Sequence, residues 1–205
     1  MFHGRGSSPF DFFFMYSKFV RDSRILPLDE FSTGILRALN VAPAQLHSNS
    51  WAYIGGFQML CLGLGLNATQ PLFLHHYCTR RGKKVGWVSM VSQSKNRLLN
   101  LFSSLYKCFK ETFFKVLVKG ESHQYVYDGD VPKFPLYWTR SPTKYMLWPR
   151  LTFTTVDFLA LGTLQQMPRQ TSTGRLLGCY SANDKAGAVA SKSFPFLRLA
   201  LDFLI

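Results

Sequence analysis

The longest apolar run in the chain, WAYIGGFQMLCLGLGL over residues 51–66, limits what this sequence can become. It carries no charge, so it must leave water either in a membrane or in a protein core. A membrane-spanning helix needs about 20 apolar residues; this run is shorter and holds Gln58 and four glycines. The reading is a buried helix that carries Trp51, Ile54, Met59 and Leu62, with Asn49 or Ser50 as its cap. Gly63 and Gly65 close it, and Gly55 and Gly56 weaken it by about 1 kcal/mol each relative to alanine.

A helix this apolar needs partners, and the chain can supply them. At 205 residues, 47% hydrophobic and with 19 phenylalanines, it can build one sizeable core. Residues 28–40 read as a helix: Asp29 and Glu30 fall in its first turn, and Phe31, Ile35 and Leu39 form one dry face before Pro43. A turn is expected over residues 67–71. Residues 72–78 suit a strand or a helix equally. The alternating GWVSMVS stretch reads as a strand. Phe102, Tyr106, Phe109 and Phe113 fall at helical spacing, and residues 113–118 then alternate. Phe113, Lys115, Leu117 and Lys119 share one side there, opposite Phe114, Val116 and Val118. Phe109 and Phe113 are expected inside, Lys107 and Lys110 outside. Residues 125–150 form a Pro- and aromatic-rich excursion, and residues 151–164 one more helix. The predicted fold class is α+β, with a mainly helical N-terminal half, short strands in the middle and a poorly ordered C-terminal tail. The expected division is a disordered N-terminus at 1–10, a domain at 11–168 and a low-order tail at 169–205, with a terminal helix at 194–205 as an option.

The formal charge is +13, and a basic balance of this size suits polyanionic partners. It is concentrated. Between residues 79 and 119 stand Arg80, Arg81, Lys83, Lys84, Lys95, Arg97, Lys107, Lys110, Lys115 and Lys119, with Glu111 as the only acid. Such a segment can contact phosphates without reading bases, and aromatics such as Tyr106 can add stacking. The alternative is that the lysines only keep a helix wet.

Other chemistry is harder to find. No phosphate-cradling glycine motif, HExxH or GxSxG elbow is present. Asp128 and Asp130 flank Gly129 in a turn that lacks the further acids of a calcium loop. His75, His76 and Cys78 are the nearest approach to a metal set, but adjacent histidines in a strand would point to opposite faces. Cys61, Cys78, Cys108 and Cys179 follow no tight spacing and read as reduced thiols of an intracellular protein, nuclear or cytoplasmic. Residues 10–19 are aromatic but lack a signal-peptide cleavage site. No cofactor and no small-molecule substrate is expected.

The ordered blocks FFFMYSKFVRDSRILPLDEFSTGILRALN, APAQLHSNSWAYIGGFQMLC, PLFLHHY, GWVSMVSQSKNRLL, FSSLYKCFKETFFKV and DGDVPKFPLYWTRSPTKYMLWP carry a resemblance. Over residues 11–168 the chain resembles the plant gypsy-type transposase domain family, found beside gypsy-like retrotransposons. Leu46, Asn49-Ser50-Trp51, Gly86-Trp87, Lys107, Lys110, Phe113-Phe114, Phe134-Pro135 and Trp138 carry the match. Gly55-Gly56-Phe57-Gln58 stands where relatives have an Arg-Ala-Phe-Glu-like run, and Ser48 where they often have proline. The family name implies strand transfer, which needs about three acids around two metal ions. Neither the family nor this chain supplies them, so no enzyme is expected.

The resemblance implies a retrotransposon-derived, non-catalytic protein, capsid-protein-like or nucleic-acid-associated through its basic segment. Alternatives are a protein-interaction scaffold whose charge is incidental, or a truncated, non-functional element copy. A scaffold would expose Tyr137, Trp138 and Trp148 as one apolar patch.

Overall fold

The computed structural model describes residues 11–17, 26–81, 86–93, 97–100, 112–144, 148–167 and 171–172. The fold is α+β: short two-stranded ladders and, among the described residues, five α-helices. By its contacts the chain forms two interleaved units: residues 1–51, 79–90 and 106–145, and residues 52–78, 91–105 and 146–205.

The first unit opens on β1 (Phe12–Tyr16), which pairs antiparallel with β5 (Phe113–Leu117) in the register Phe12↔Leu117, Phe14↔Lys115 and Tyr16↔Phe113. Bonds from the Ser17 amide to the Thr112 carbonyl and from the Val118 amide to the Asp11 carbonyl extend the ladder at both ends. Leu26-Pro27 is a cis peptide bond. Helix α1 (Glu30–Leu39) begins where Asp29 accepts the Ser32 amide at 2.8 Å, so Asp29 is the cap rather than a first-turn residue. The helix ends at Asn40, in the left-handed conformation. Ile35 and Leu39 are fully buried as expected, with Phe31 half-buried. Pro43 does not merely end the run; it starts a 3-10 turn, Pro43–Gln45. Gln45 is wholly buried, and its amide gives to the Thr139 carbonyl at 2.9 Å and accepts the Thr139 amide at 3.0 Å.

Helix α2 (Ser48–Gly63) is the apolar run, with Trp51, Ile54, Phe57 and Cys61 at 0–1% exposure. Among the described residues no helix is long and apolar enough to cross a membrane. Two expectations fail here. The cap is neither Asn49 nor Ser50: the His47 ring nitrogen accepts the Asn49 amide at 3.2 Å. Ser50 is buried, and its hydroxyl accepts the Met90 amide at 2.8 Å. Leu62 is 55% exposed, because residue 62 falls off the buried side of the last turn.

In the second unit Pro71 belongs to a helix, α3 (Gln70–His76), not to a turn; Thr69 caps it and proline fits its first turn. Residues 72–78 prove to be both elements in succession, since β2 (Tyr77–Arg81), which belongs to the first unit from Thr79 on, follows directly. Strand β3 (Val88–Ser92) pairs with β2. The two-residue β4 (Leu99–Asn100) pairs in parallel with β8 (Thr171–Ser172), so a short ladder stands inside the stretch expected to be a tail. Helix α5 (Thr155–Gln166) packs against α3. It is capped by Thr154 and Asp157, which bind each other's amides. Asp157 is buried and also accepts a hydrogen bond from the Thr69 hydroxyl, tying the start of α5 to the cap of α3.

In the first unit, α4 (His123–Val126) leads into the hairpin of β6 (Tyr127–Asp128) and β7 (Val131–Pro132), which turns at Gly129, φ 57°. The expectations for residues 1–10, 102–110, 173–193 and 194–205, including Phe109, Lys107 and Lys110, lie outside the described residues.

Candidate nucleic-acid interface

Strand β1 is FFFMY, apolar at every position, and β5 is FFKVL. Alternation gives each strand two faces, and pairing decides which face is which. Phe13 and Met15 point inward, at 1% and 0% exposure, and Phe134 meets Phe13 edge-on at 5.5 Å. The opposite face carries Phe12, Phe14 and Tyr16 beside their partners Leu117, Lys115 and Phe113.

That outer face is a row of rings with a cation set into it. Tyr137 packs edge-on against Phe12, Phe12 against Phe14, and Phe14 against Phe113, at centroid separations of 5.5, 5.5 and 5.3 Å. The Lys115 ammonium sits 3.8 Å from the centroid of the Phe12 ring, a diagonal cross-strand cation–π contact. At the other end Tyr16 stacks on Trp87, which meets Trp138 edge-on at 5.4 Å. Burial among these rings raises the Tyr16 hydroxyl to about 12.

One expectation about this face is overturned. Phe113 is 45% exposed, not buried. It does not continue a helical stripe but opens β5, and the strand's two-residue period places it outward with Lys115 and with Leu117, 40% exposed. The same period keeps Val116 half-buried and Val118 buried, so the two sides read from the sequence were right where the helical reading of Phe113 was not. What the sequence reading lacked was β1, whose pairing fixes the outward side.

Of the basic residues, Arg80, Lys115 and Lys119 of the first unit and Arg97 of the second are exposed. Lys83, Lys84, Lys95, Lys107 and Lys110 lie outside the described residues, as does the Arg81 side chain. Lys119 keeps an extended backbone, φ −138° and ψ 141°, so the strand's alternation carries on to it beyond the end of β5.

The aromatics of the expected apolar patch are engaged. Tyr137 and Trp138 of the first unit are half-buried against Phe12 and Trp87. Trp148 of the second is half-buried and donates to the Thr152 hydroxyl at 2.6 Å.

His75 and His76 are buried in the last turn of α3, not in a strand, with ring centroids 5.4 Å apart. Cys78, half-buried on β2, gives its thiol hydrogen to the Val91 carbonyl at 3.6 Å. Among the described residues no three His, Cys, Asp or Glu side chains come together in a way that could hold a metal ion. Cys61 is fully buried and its thiol is pushed up to about 12, which keeps it protonated and unreactive.

A shallow cleft of about 680 Å³ lies in the first unit, with Glu121, His123, Tyr127, Asp128, Asp130 and Lys133 on its walls. Two of its polar groups are bonded within the chain: the Tyr127 hydroxyl donates to Asp11, and the Lys133 ammonium donates to the Gln124 carbonyl at 2.7 Å.

No family model matches the chain, and neither does any curated protein or solved structure.

Proposed function

We propose that this chain is a non-catalytic domain of plant retroelement origin that associates with nucleic acid through the sugar–phosphate backbone. The observation that carries the reading is the outer face of β5, where Lys115 and then Lys119 stand exposed in a stretch, residues 112–119, that contains no acid. Arg80 of the same unit and Arg97 of the other are exposed as well. Lysines held this way attract phosphate and release its counterions without selecting bases. The resemblance of the ordered blocks to the gypsy-type family supports the element origin, and an intracellular location goes with that origin.

The test is affinity for a labelled oligonucleotide as a function of salt. Log affinity should fall steeply with log salt, and replacing Lys115 and Lys119 together by glutamine should flatten the slope by about two. No binding at about 50 mM salt would remove the reading.

A scaffold role draws on a different observation. Helix α5 exposes Val156, Phe158 and Leu159, at 53%, 49% and 70%, and apolar side chains gathered on one short helix suit a protein partner.

A further inference from the structure

The geometry points to single-stranded rather than duplex nucleic acid as the occupant of the β5 outer face, with Phe113 as a base-stacking platform; this rests on the backbone-binding reading above. Along an extended strand, same-side residues recur about every 6.7 Å, so Phe113, Lys115, Leu117 and Lys119 form a line of ring, cation, aliphatic side chain and cation. The line is pre-formed at its first two members. Phe14 braces the Phe113 ring edge-on at 5.3 Å, while nearly half of Phe113 stays open to solvent. Lys115 is held over Phe12 rather than swinging freely, so less side-chain entropy is lost when a phosphate arrives.

A ring on an open surface can stack on a base only if that base is free of its neighbours. In a duplex the bases are already stacked and the surface offered is phosphate, which lysines alone can grip. In a single strand the base can turn onto Phe113 while its phosphates lie over Lys115 and Lys119. Phenylalanine has no donor or acceptor, so stacking of this kind tolerates any base. The lysines match the phosphates in charge, and no acid in residues 112–119 opposes them.

Three proteins separate the possibilities: the full chain, Phe113→Ala, and the Lys115→Gln/Lys119→Gln pair. Each is titrated with an oligothymidine and with a duplex of the same length over a range of salt. The full chain should prefer the single strand. Phe113→Ala should lose about ten-fold or more in single-strand affinity with its salt slope unchanged, because a ring releases no counterions, and should bind the duplex as before. The lysine pair should flatten the slope on both ligands. Phe113→Tyr should restore single-strand affinity. If Phe113→Ala fails to fold by circular dichroism, Phe113→Leu keeps apolar bulk against Phe14 and should show the same selective loss. Equal single-strand binding by the ring-less variant, or a preference for duplex, overturns the inference and leaves backbone binding standing. Absence of binding to either ligand at low salt overturns both.

Discussion

Gly86 shows how a single residue can be decided by its surroundings. Its φ is 101°, a conformation that side chains rarely adopt, and a Cβ there would lie 2.8 and 2.9 Å from ring carbons of Trp138. Trp138 stands far along the chain from the adjacent pair Gly86 and Trp87, yet the three meet in one place. Gly86→Ala should therefore combine backbone strain with overpacking and destabilise the fold by at least about 2 kcal/mol. Urea denaturation checks this, with the midpoint expected to fall at unchanged slope. A variant as stable as the parent would mean the Trp138 ring can move aside. Ser50 gives the same lesson without strain. A serine ahead of an apolar helix invites a capping role, but its hydroxyl is taken by the Met90 amide, 40 positions away.

At the scale of elements, α5 carries apolar residues on its exposed side as well as its buried one, and what directs it is capping and one buried stripe. Asp157, Ala160, Leu161 and Leu164 are buried, while Val156, Phe158 and Leu159 face out. Gly162 lies in its interior, and a Cβ there would meet nothing within 4 Å. Gly162→Ala should stabilise the protein by about 0.5–1 kcal/mol, since alanine restricts the unfolded chain and favours the helix. A lower thermal midpoint for this variant would show that residue 162 is not the open helical position it is taken to be. Helix α2 contains Gly55 and Gly56 and yet runs unbroken over 16 residues, because burial of Trp51, Ile54 and Phe57 outweighs the weak propensity of two glycines.

For the whole molecule, two groups of the second unit make stability depend on pH. His75 is buried, and burial lowers its pKa; the Trp148 backbone raises it and the Arg150 guanidinium lowers it again. The arginine nitrogen lies 3.5 Å from the ring Nε2, so that atom accepts, and a protonated ring would lose the contact and face a cation, with the buried His76 ring beside it. Because the folded pKa lies below the unfolded value of about 6.5, the unfolded chain takes up the proton first. This stabilisation is full above that value and is lost as pH falls below it. Asp157 acts in the same direction at lower pH. Burial raises its pKa, but hydrogen bonds from Thr69 and from the Thr154 amide and hydroxyl outweigh that and lower it overall. Its contribution is present above the unfolded value of about 3.9 and lost as pH falls through the folded one. Unfolding midpoints should thus drop from pH 7 to pH 5, and His75→Asn should flatten that drop. Below pH 4 a second decline should appear that Asp157→Asn reduces. Stability unchanged between pH 7 and pH 5 would refute the role given to His75.

The sequence by itself determined the helices at residues 30–39, 48–63 and 155–166 to within a few residues, the strand at 88–92, the two sides of 113–118 and the location of the charge. These signals are local: a cap, a 3.6- or 2-residue period and a count of side chains need no partner to be read. What only the tertiary structure decided was which side of β5 meets solvent, what Ser50 and Asp157 bind, and which half of residues 72–78 is helix. Each depends on a partner elsewhere in the chain: β1 for β5, Met90 for Ser50, Thr69 for Asp157, and β3 for the strand half of residues 72–78. The strand at residues 12–16 is the hardest to read, since FFFMY does not alternate between polar and apolar. Both of its faces pack against rings, one against Phe134 and the other against Tyr137 and Trp87. A strand covered on both sides has no polar face to announce it, and without β1 the outward face of Phe113 and Lys115 could not be told from a core one.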